Sequence, residues 1–146
     1  MTPTETLKIW YDRVWMQADL AAIDDLFTPE THAEGMMAFS IGPEDFKALV
    51  PAFLAQIEAP NFRFDKVVEC GDWVWAHISV HATAAGTEHP VVTSGQIMAR
   101  VVDGRIVEAY NQFDFLTLLE QLGYLPQDSL ALCLSGEGVG LNPTQP

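Results

Sequence analysis

Apolar residues recur with a helical period in the first part of the chain, and this pattern predicts three helices. The first begins at a capping box formed by Thr2 and Glu5. Asp19 is placed to cap a second, shorter helix that ends at Pro29. The third starts after Gly42 and carries an apolar stripe on one face. Between the last two, the segment AEGMMAFSIG is ambiguous and can hold a short strand.

Beyond Pro60, apolar and polar residues alternate with a period of two, which is typical of strands with one buried face. Gly71–Asp72 and Asp103–Gly104 mark tight turns between such strands. The predicted strands are FRFDKVVEC, DWVWAHISVHATA, HPVVTSGQIMARVV and RIVEAYNQF. The segment DFLTLLEQLG then predicts a closing helix, capped by Asp114 and terminated by Gly123.

Helices followed by a run of antiparallel strands predict the α+β class. Because the helices carry apolar stripes, they must pack on one face of the sheet, and a strongly curved sheet wrapped around them would enclose a pocket. A length of 146 residues fits one domain with a sizeable core. We assign residues 1–125 to this domain. We predict that residues 126–146 form an irregular C-terminal extension, because their last stretch is rich in glycine and proline.

Twenty acidic residues against seven basic ones give a formal net charge of −13, which opposes binding to nucleic acids and to anionic membranes. No apolar run approaches the ~20 residues that span a bilayer, and the first residues lack the pattern of a signal peptide. We therefore expect a cytoplasmic protein. Cys70 and Cys133 match no ligand spacing and are expected to be free thiols. The sequence contains no metal or nucleotide motif, so no cofactor is expected.

One polar residue interrupts an apolar strand face near the end of the chain. The alternation in RIVEAYNQF places Val107, Ala109, Asn111 and Phe113 on one face, and Asn111 is its only polar member. A single polar group among apolar neighbours is typical of a ligand site, where it would anchor a carbonyl or hydroxyl. The alternative is a structural amide that is satisfied by the backbone or by water. The sequence leaves both interpretations open.

Three segments carry a resemblance to a known family: YDRVWMQADLAAIDDLFTPETH, GPEDFKALVPAFLAQI and VVDGRIVEAYNQFDFLTLLEQLG. Through them the chain resembles the SnoaL-like polyketide cyclases of the nuclear transport factor 2-like superfamily. The resemblance implies a cone-shaped, cystatin-like α+β fold, in which a mixed or antiparallel sheet wraps around the N-terminal helices. In these cyclases, an aspartate on the last strand and a histidine on the preceding strand perform acid/base chemistry. The matching positions here hold Asn111 and Ile97.

The chemistry that this resemblance implies depends on which side chains face the pocket. An amide cannot transfer protons near neutral pH, but it can polarise a carbonyl. His32, which follows the second helix, is a candidate acid/base residue, with an exposed loop histidine as the alternative. Tyr11 and Trp15 either line the pocket mouth or belong to the core. The predicted ligand-binding residues are Asn111, Ile97, Phe113, Tyr11 and Trp15.

Two functions therefore remain open for the predicted apolar pocket. One is a cyclase or isomerase that acts on a small hydrophobic carbonyl-bearing ligand, with His32 as acid/base and Asn111 polarising the carbonyl. The other is a non-catalytic binding or carrier protein for the same kind of ligand. The absence of an acid at position 111 and of a histidine at position 97 favours binding or altered chemistry.

The second predicted strand has an aromatic and polar face that the core does not require. Trp73, Trp75, His77, Ser79 and His81 share this face. Two histidines four residues apart on a strand are about 13 Å apart, too far to bind one metal ion together. We instead expect the tryptophans to form an apolar patch on the outer sheet face, covered by a second copy of the chain in a homodimer.

Overall fold

The computed structural model describes residues 1–140. The helices are α1 (Pro3–Trp10), α2 (Ala21–Leu26), α3 (Pro43–Leu54), α4 (Phe115–Gln121) and α5 (Ser129–Leu134), and a π-helical turn, Tyr11–Met16, continues α1. The predicted capping box of α1 is confirmed. The Thr2 hydroxyl accepts a hydrogen bond from the Glu5 N–H at 3.1 Å, and the Glu5 carboxylate accepts one from the Thr2 N–H at 2.8 Å.

Within residues 1–140, the strands β1 (Phe27–Glu34), β2 (Ile57–Cys70), β3 (Trp73–Ala84), β4 (Pro90–Val102) and β5 (Arg105–Phe113) form one sheet. Their order is β1-β5-β4-β3-β2. β1 runs parallel to β5, whereas the other neighbouring strands are antiparallel. The sheet is therefore mixed, and it is curved but not closed. Together with the helices it confirms the predicted α+β class.

The region around the second helix differs from the prediction. Leu20, not Asp19, occupies the cap position of α2, and the Asp19 carboxylate pairs with Arg13 at 2.8 Å. The hydrogen bond from Arg13, with smaller contributions from the Ala21 and Ala22 N–H groups, lowers the pKa of this carboxyl. The helix ends before Pro29, because the chain from Phe27 onward forms β1 beside β5. This pairing joins segments far apart in sequence, and local periodicity does not reveal it.

β2 also begins earlier than predicted, at Ile57 rather than after Pro60. Pairing with β3 is irregular between Glu58 and Asn61, so Pro60, which has no N–H to donate, lies at a break in the hydrogen-bond ladder. Residues 71–72 join β2 to β3, and residues 103–104 join β4 to β5, while residues 85–89 join β3 to β4. The strands β2, β3, β4 and β5 form the antiparallel part of the sheet.

The helices pack on the concave face of the sheet. In the first part of β3 every second residue is buried against them, and Ala76 and Ile78 are fully buried. From the helices, Leu7 and Val14 are also fully buried. Aromatic rings fill the space between α1, β1 and α3: the ring of Trp10 stacks on that of Phe27 at 4.3 Å, and both contact Phe46 edge-on at 5.4 Å. Between this apolar layer and the sheet lies a cavity.

The C-terminal segment departs from the predicted irregular extension over residues 126–146. Ser129–Leu134 forms α5, and its first turn is held by the Glu120 carboxylate, which accepts a hydrogen bond from the Leu130 N–H at 3.1 Å. The glycines and prolines that suggested irregular structure flank this apolar segment rather than interrupt it. Residues 141–146 lie outside the described residues. Among the helices of residues 1–140, none has the length and apolar character needed to cross a membrane.

Candidate functional site: an apolar cavity between sheet and helices

A cavity of about 350 Å³ lies between the concave face of the sheet and the helices. This volume is within the range of roughly 300–1,000 Å³ that is typical of small-molecule sites. Its walls are mostly apolar and rich in aromatic rings, among them Trp10, Tyr11, Trp15, Phe53, Phe62 and Phe113. Met37 stands at its rim and is 45% exposed, so the cavity opens to solvent beside β1.

Asn111 lies in the wall of this cavity, on β5. It is 5% exposed and pairs in register with Ile97 on β4, which also lines the cavity. Its amide makes no hydrogen bond to any other side chain or backbone group of residues 1–140. The Asn111 amide is also not fully enclosed by protein. Within residues 1–140, the one fully enclosed side-chain polar atom without a partner is Thr6 Oγ1. The amide therefore faces the open space of the cavity.

Two glycines allow close contacts in the cavity wall around Asn111. Gly35, which follows β1, has φ +92°, and a Cβ there would lie 1.9 Å from the carbonyl oxygen of Asn111. Gly95 on β4 pairs with Phe113, and a Cβ there would lie 2.4 Å from the Phe113 ring. Both glycines let neighbouring groups approach closely, and this holds the cavity wall in its shape.

The predicted cavity face of β5 is correct from Ala109 to Phe113 but not at the start of the strand. Ile106 is 1% exposed and lines the cavity, whereas Val107 is only half-buried. The pairing register with β4 shifts between Arg100 and Val101. This irregularity changes which residue points inward, and no turn or proline in the sequence marks it.

Tyr11 and Trp15 both line the cavity from the π-helical turn. Tyr11 is 3% exposed, and its ring lies 5.2 Å from that of Phe62 on β2. Burial raises the pKa of the Tyr11 hydroxyl, so this group stays protonated near neutral pH. Neither this hydroxyl nor the indole N–H of Trp15 bonds to another of the described residues.

His32 does not lie among the cavity residues, contrary to its proposed acid/base role. It belongs to β1, where Thr31 and Ala33 on either side are 2% and 1% exposed and point inward. Alternation along the strand therefore turns His32 to the outer face, where it pairs in register with Glu108. Within residues 1–140, none of the cavity-lining side chains is a carboxylate or a histidine.

Asp114 acts as the predicted helix cap rather than as a base. Its carboxylate accepts hydrogen bonds from the Thr117 N–H at 3.0 Å and from the Thr117 hydroxyl at 2.6 Å. The capped helix, α4, brings Phe115 and Leu118 to the cavity wall. Gln121 at its end hydrogen-bonds both the N–H and the carbonyl of Val92, each at 2.7 Å, which ties α4 to β4.

The outer face of the sheet carries the predicted aromatic and polar residues of β3. Trp73 stacks on Tyr110 with ring centroids 6.4 Å apart, and the Trp75 indole N–H donates to the Gln96 side chain at 3.1 Å. His77 Nδ1 lies 3.2 Å from a carboxylate oxygen of Asp65. The Ser79 hydroxyl donates to the same carboxylate, and chiefly through this bond the pKa of the Asp65 carboxyl is lowered. Three apolar residues of this face are more than 40% exposed: Val68, Val92 and Met98.

An open, curved sheet packs on helices around an apolar cavity. This arrangement defines a class of small α+β proteins with a concave cavity of ligand size. Residues 8–109 match the family model described as the SnoaL-like domain, and the chain belongs to that family. This confirms the family resemblance found in the sequence. No curated protein sequence matched the chain.

Several solved structures share the fold. IdmH, a proposed polyketide cyclase from Streptomyces antibioticus, is 24% identical with a TM-score of 0.72, covering 84% of this chain and 99% of its own. A proposed polyketide cyclase from Bacillus cereus is 21% identical with a TM-score of 0.74 and coverages of 83% and 80%. AclR, a proposed hydroxylase from Streptomyces galilaeus, is 22% identical with a TM-score of 0.72 and coverages of 92% and 92%. At these identities the similarity establishes the fold alone.

Proposed function

We propose that this protein binds a small hydrophobic molecule that carries a carbonyl or hydroxyl group, with Asn111 as its polar contact. One observation carries the proposal: an amide that is 5% exposed lines an apolar cavity and has no partner among residues 1–140. Leaving a buried polar group unpaired is unfavourable, and a ligand oxygen would remove that cost. The surrounding apolar wall supplies the hydrophobic part of the affinity.

Asn111 supports binding more directly than acid/base catalysis. Its amide donates and accepts hydrogen bonds but does not transfer protons near neutral pH. Since His32 lies on the other face of the sheet, the earlier hypothesis of a His32–Asn111 pair has no support from the geometry. We therefore favour a binding or carrier protein over a cyclase.

The second candidate function is cyclisation or isomerisation of the bound ligand. It is favoured by membership of the SnoaL-like family and by structural relatives named as proposed polyketide cyclases. Donation from the Asn111 amide would stabilise negative charge on a carbonyl oxygen as it develops. In that case the proton would be exchanged with solvent or within the ligand itself.

Replacement of Asn111 by leucine tests the binding function, because leucine removes the amide and nearly preserves its size. The probe is 2-acetylnaphthalene, an apolar ketone, with 2-ethylnaphthalene as its counterpart without oxygen. We expect Asn111→Leu to weaken binding of the ketone about 2- to 12-fold, which corresponds to one hydrogen bond of 0.5–1.5 kcal/mol. Binding of the hydrocarbon should stay equal or improve, as measured by fluorescence titration. Equal loss for both probes, or no loss for either, would contradict the proposal.

A second experiment separates binding from catalysis. 2-Acetylnaphthalene is incubated with the protein in D₂O, and deuterium exchange at the methyl group next to the carbonyl is followed by NMR. Exchange accelerated by the wild-type chain and abolished in Asn111→Leu would support the catalytic candidate. Exchange at the rate of buffer alone, together with binding of the ketone, would support the binding protein.

We further propose that two copies of the chain pair through the outer face of the sheet. The support is the group of exposed apolar side chains there, Val68, Val92 and Met98. Light scattering should give the mass of a dimer at micromolar concentration, and Met98→Lys should shift it towards the monomer. The control Ala21→Lys makes the same charge change on exposed α2 and should leave the dimer intact. A wild-type monomer would exclude this arrangement.

A further inference from the structure

The Tyr11 hydroxyl is a second polar group that the cavity leaves without a partner. Tyr11 is 3% exposed and lines the cavity, and its hydroxyl makes no hydrogen bond to another residue of the 1–140 range. Like the Asn111 amide, the Tyr11 hydroxyl is not fully enclosed by protein, so it has open space beside it. Three side chains that line this cavity, Asn111, Tyr11 and Trp15, are more than nine-tenths buried and have a polar group without a partner in the 1–140 range. Such groups are rare in folded proteins, and each calls for a partner. The Asn111 amide and the Tyr11 hydroxyl can accept as well as donate a hydrogen bond, whereas the Trp15 indole only donates.

The two groups lie towards opposite sides of the cavity. The Tyr11 ring contacts Phe62 and Phe64, at 5.2 and 5.7 Å, on β2 at one edge of the sheet. Asn111 belongs to β5, and β3 and β4 lie between these two strands. Neighbouring strands are about 4.8 Å apart, so β2 and β5 are separated by three spacings, or roughly 14 Å along the sheet. Curvature of the sheet shortens the direct distance between them. With the Tyr11 ring beside β2 and Asn111 on β5, this spacing favours two separate ligand oxygens over a shared one.

The wall on the Tyr11 side of the cavity favours a flat ligand. Aromatic rings of Trp15, Phe53 and Phe62 form this part of the wall, and the Trp15 ring meets the Phe53 ring edge-on at 5.7 Å. Rings in offset and edge-on arrangements accommodate a planar aromatic molecule better than a branched one. A neutral phenol can donate to an oxygen acceptor, and an amide can serve either a carbonyl or a hydroxyl.

We infer that the ligand is an elongated, flat, apolar molecule with an oxygen function at each end, one bound by Asn111 and the other by Tyr11. This inference rests on the proposed binding function and adds to it the second contact and the shape of the ligand. It assigns Tyr11 to specificity: the hydroxyl selects molecules that carry a second oxygen at the far end.

Tyr11→Phe is the decisive variant because it removes the hydroxyl and keeps the ring. Three probes are titrated by fluorescence: 2-acetylnaphthalene, its 6-hydroxy derivative with the hydroxyl at the far end, and its 1-hydroxy derivative with the hydroxyl beside the carbonyl. In the wild-type protein we expect the 6-hydroxy derivative to bind about 2- to 12-fold more tightly than the parent ketone. Tyr11→Phe should abolish this gain and leave affinity for the parent ketone unchanged. The 1-hydroxy derivative should show no dependence on Tyr11.

The outcomes separate the two proposals. If the parent ketone binds in an Asn111-dependent manner but the 6-hydroxy derivative gains nothing from Tyr11, the two-ended ligand is wrong and the binding function stands. If Tyr11→Phe weakens the parent ketone as much as Asn111→Leu does, both groups contact one oxygen, which also overturns the inference. If none of the three probes binds, both proposals fail. Thermal unfolding of Tyr11→Phe should match that of the wild type, because the lost hydroxyl has no partner to leave unpaired.

Discussion

Replacement of Gly35 by alanine is expected to lower the free energy of unfolding by about 2–6 kcal/mol, and to weaken binding of 2-acetylnaphthalene at the same time. An alanine Cβ would lie 1.9 Å from the Asn111 carbonyl oxygen, closer than any real contact of this kind. The chain must then separate the end of β1 from β5, at a cost of about 1–3 kcal/mol for overpacking. The left-handed backbone at φ +92° adds about 1–3 kcal/mol for a residue with a Cβ.

The chain offers a matched control for the backbone part of this effect. Gly123 has φ +84°, and a Cβ there would meet nothing within 4 Å. Gly123→Ala should therefore show the left-handed strain without the clash, and leave ketone binding close to that of the wild type. Urea unfolding gives both free energies, and fluorescence titration gives both affinities. Equal destabilisation by the two variants would mean that the close approach of Gly35 to Asn111 is not part of the folded structure.

Short-range signals allowed much of the fold to be predicted. The capping box of Thr2 and Glu5, the turns at Gly71 and Gly104 and the cap at Asp114 are local features, because each involves residues a few positions apart. Alternation along RIVEAYNQF also placed Asn111 on the correct face, since period two holds wherever a strand is regular. The regular antiparallel strands and the capped starts of α1 and α4 therefore follow from sequence alone.

Long-range pairing accounts for the main errors. β1 exists because Phe27–Glu34 lies parallel to β5, and nothing within that segment specifies a partner about 75 residues away. Without this strand His32 resembled a loop residue near the pocket, whereas the strand turns it to the outer face. The irregular pairing beside Val101 likewise changed the face of Ile106, which points into the cavity rather than away from it. A sequence pattern gives the period of a strand, but only its neighbours decide the register.

The unpaired state of the cavity groups is also a property of the assembled structure. Tyr11 followed a helical apolar stripe that is equally consistent with a core residue, and only the folded chain shows its hydroxyl without a partner. For Asn111 the sequence left an anchor and a satisfied amide open, and the missing partner favours the anchor. The candidate site thus depends on which hydrogen bonds the fold leaves unmade, and this could not be predicted from composition or periodicity.

Asn111→Asp is expected to make the stability of the protein depend on pH at this position. A carboxyl in an apolar cavity resists ionisation, so its pKa in the folded state should be raised above the unfolded value of about 3.9. For an acid with a raised pKa, the folded state prefers the protonated form. Stability is therefore fully present below the unfolded pKa and falls as pH rises, by about 1.4 kcal/mol per pH unit, until the pH reaches the folded pKa. A rise of about 2–3 pKa units, within the range for carboxyls in apolar sites, would give a total loss of about 3–4 kcal/mol between pH 3.5 and pH 8.

The exposed residue Asn61 on β2 provides the control, because Asn61→Asp introduces the same group where water can reach it. The difference in free energy of unfolding between Asn111→Asp and Asn61→Asp, measured by urea unfolding at several pH values, isolates the effect of the cavity. Affinity for 2-acetylnaphthalene gives a second readout. The protonated carboxyl still donates to the ketone, whereas the carboxylate repels its oxygen, so binding by Asn111→Asp should weaken as pH rises while binding by Asn61→Asp stays constant. If the two variants instead behave alike over the whole pH range, water solvates position 111 freely, and the apolar cavity that carries the proposed function is absent in solution.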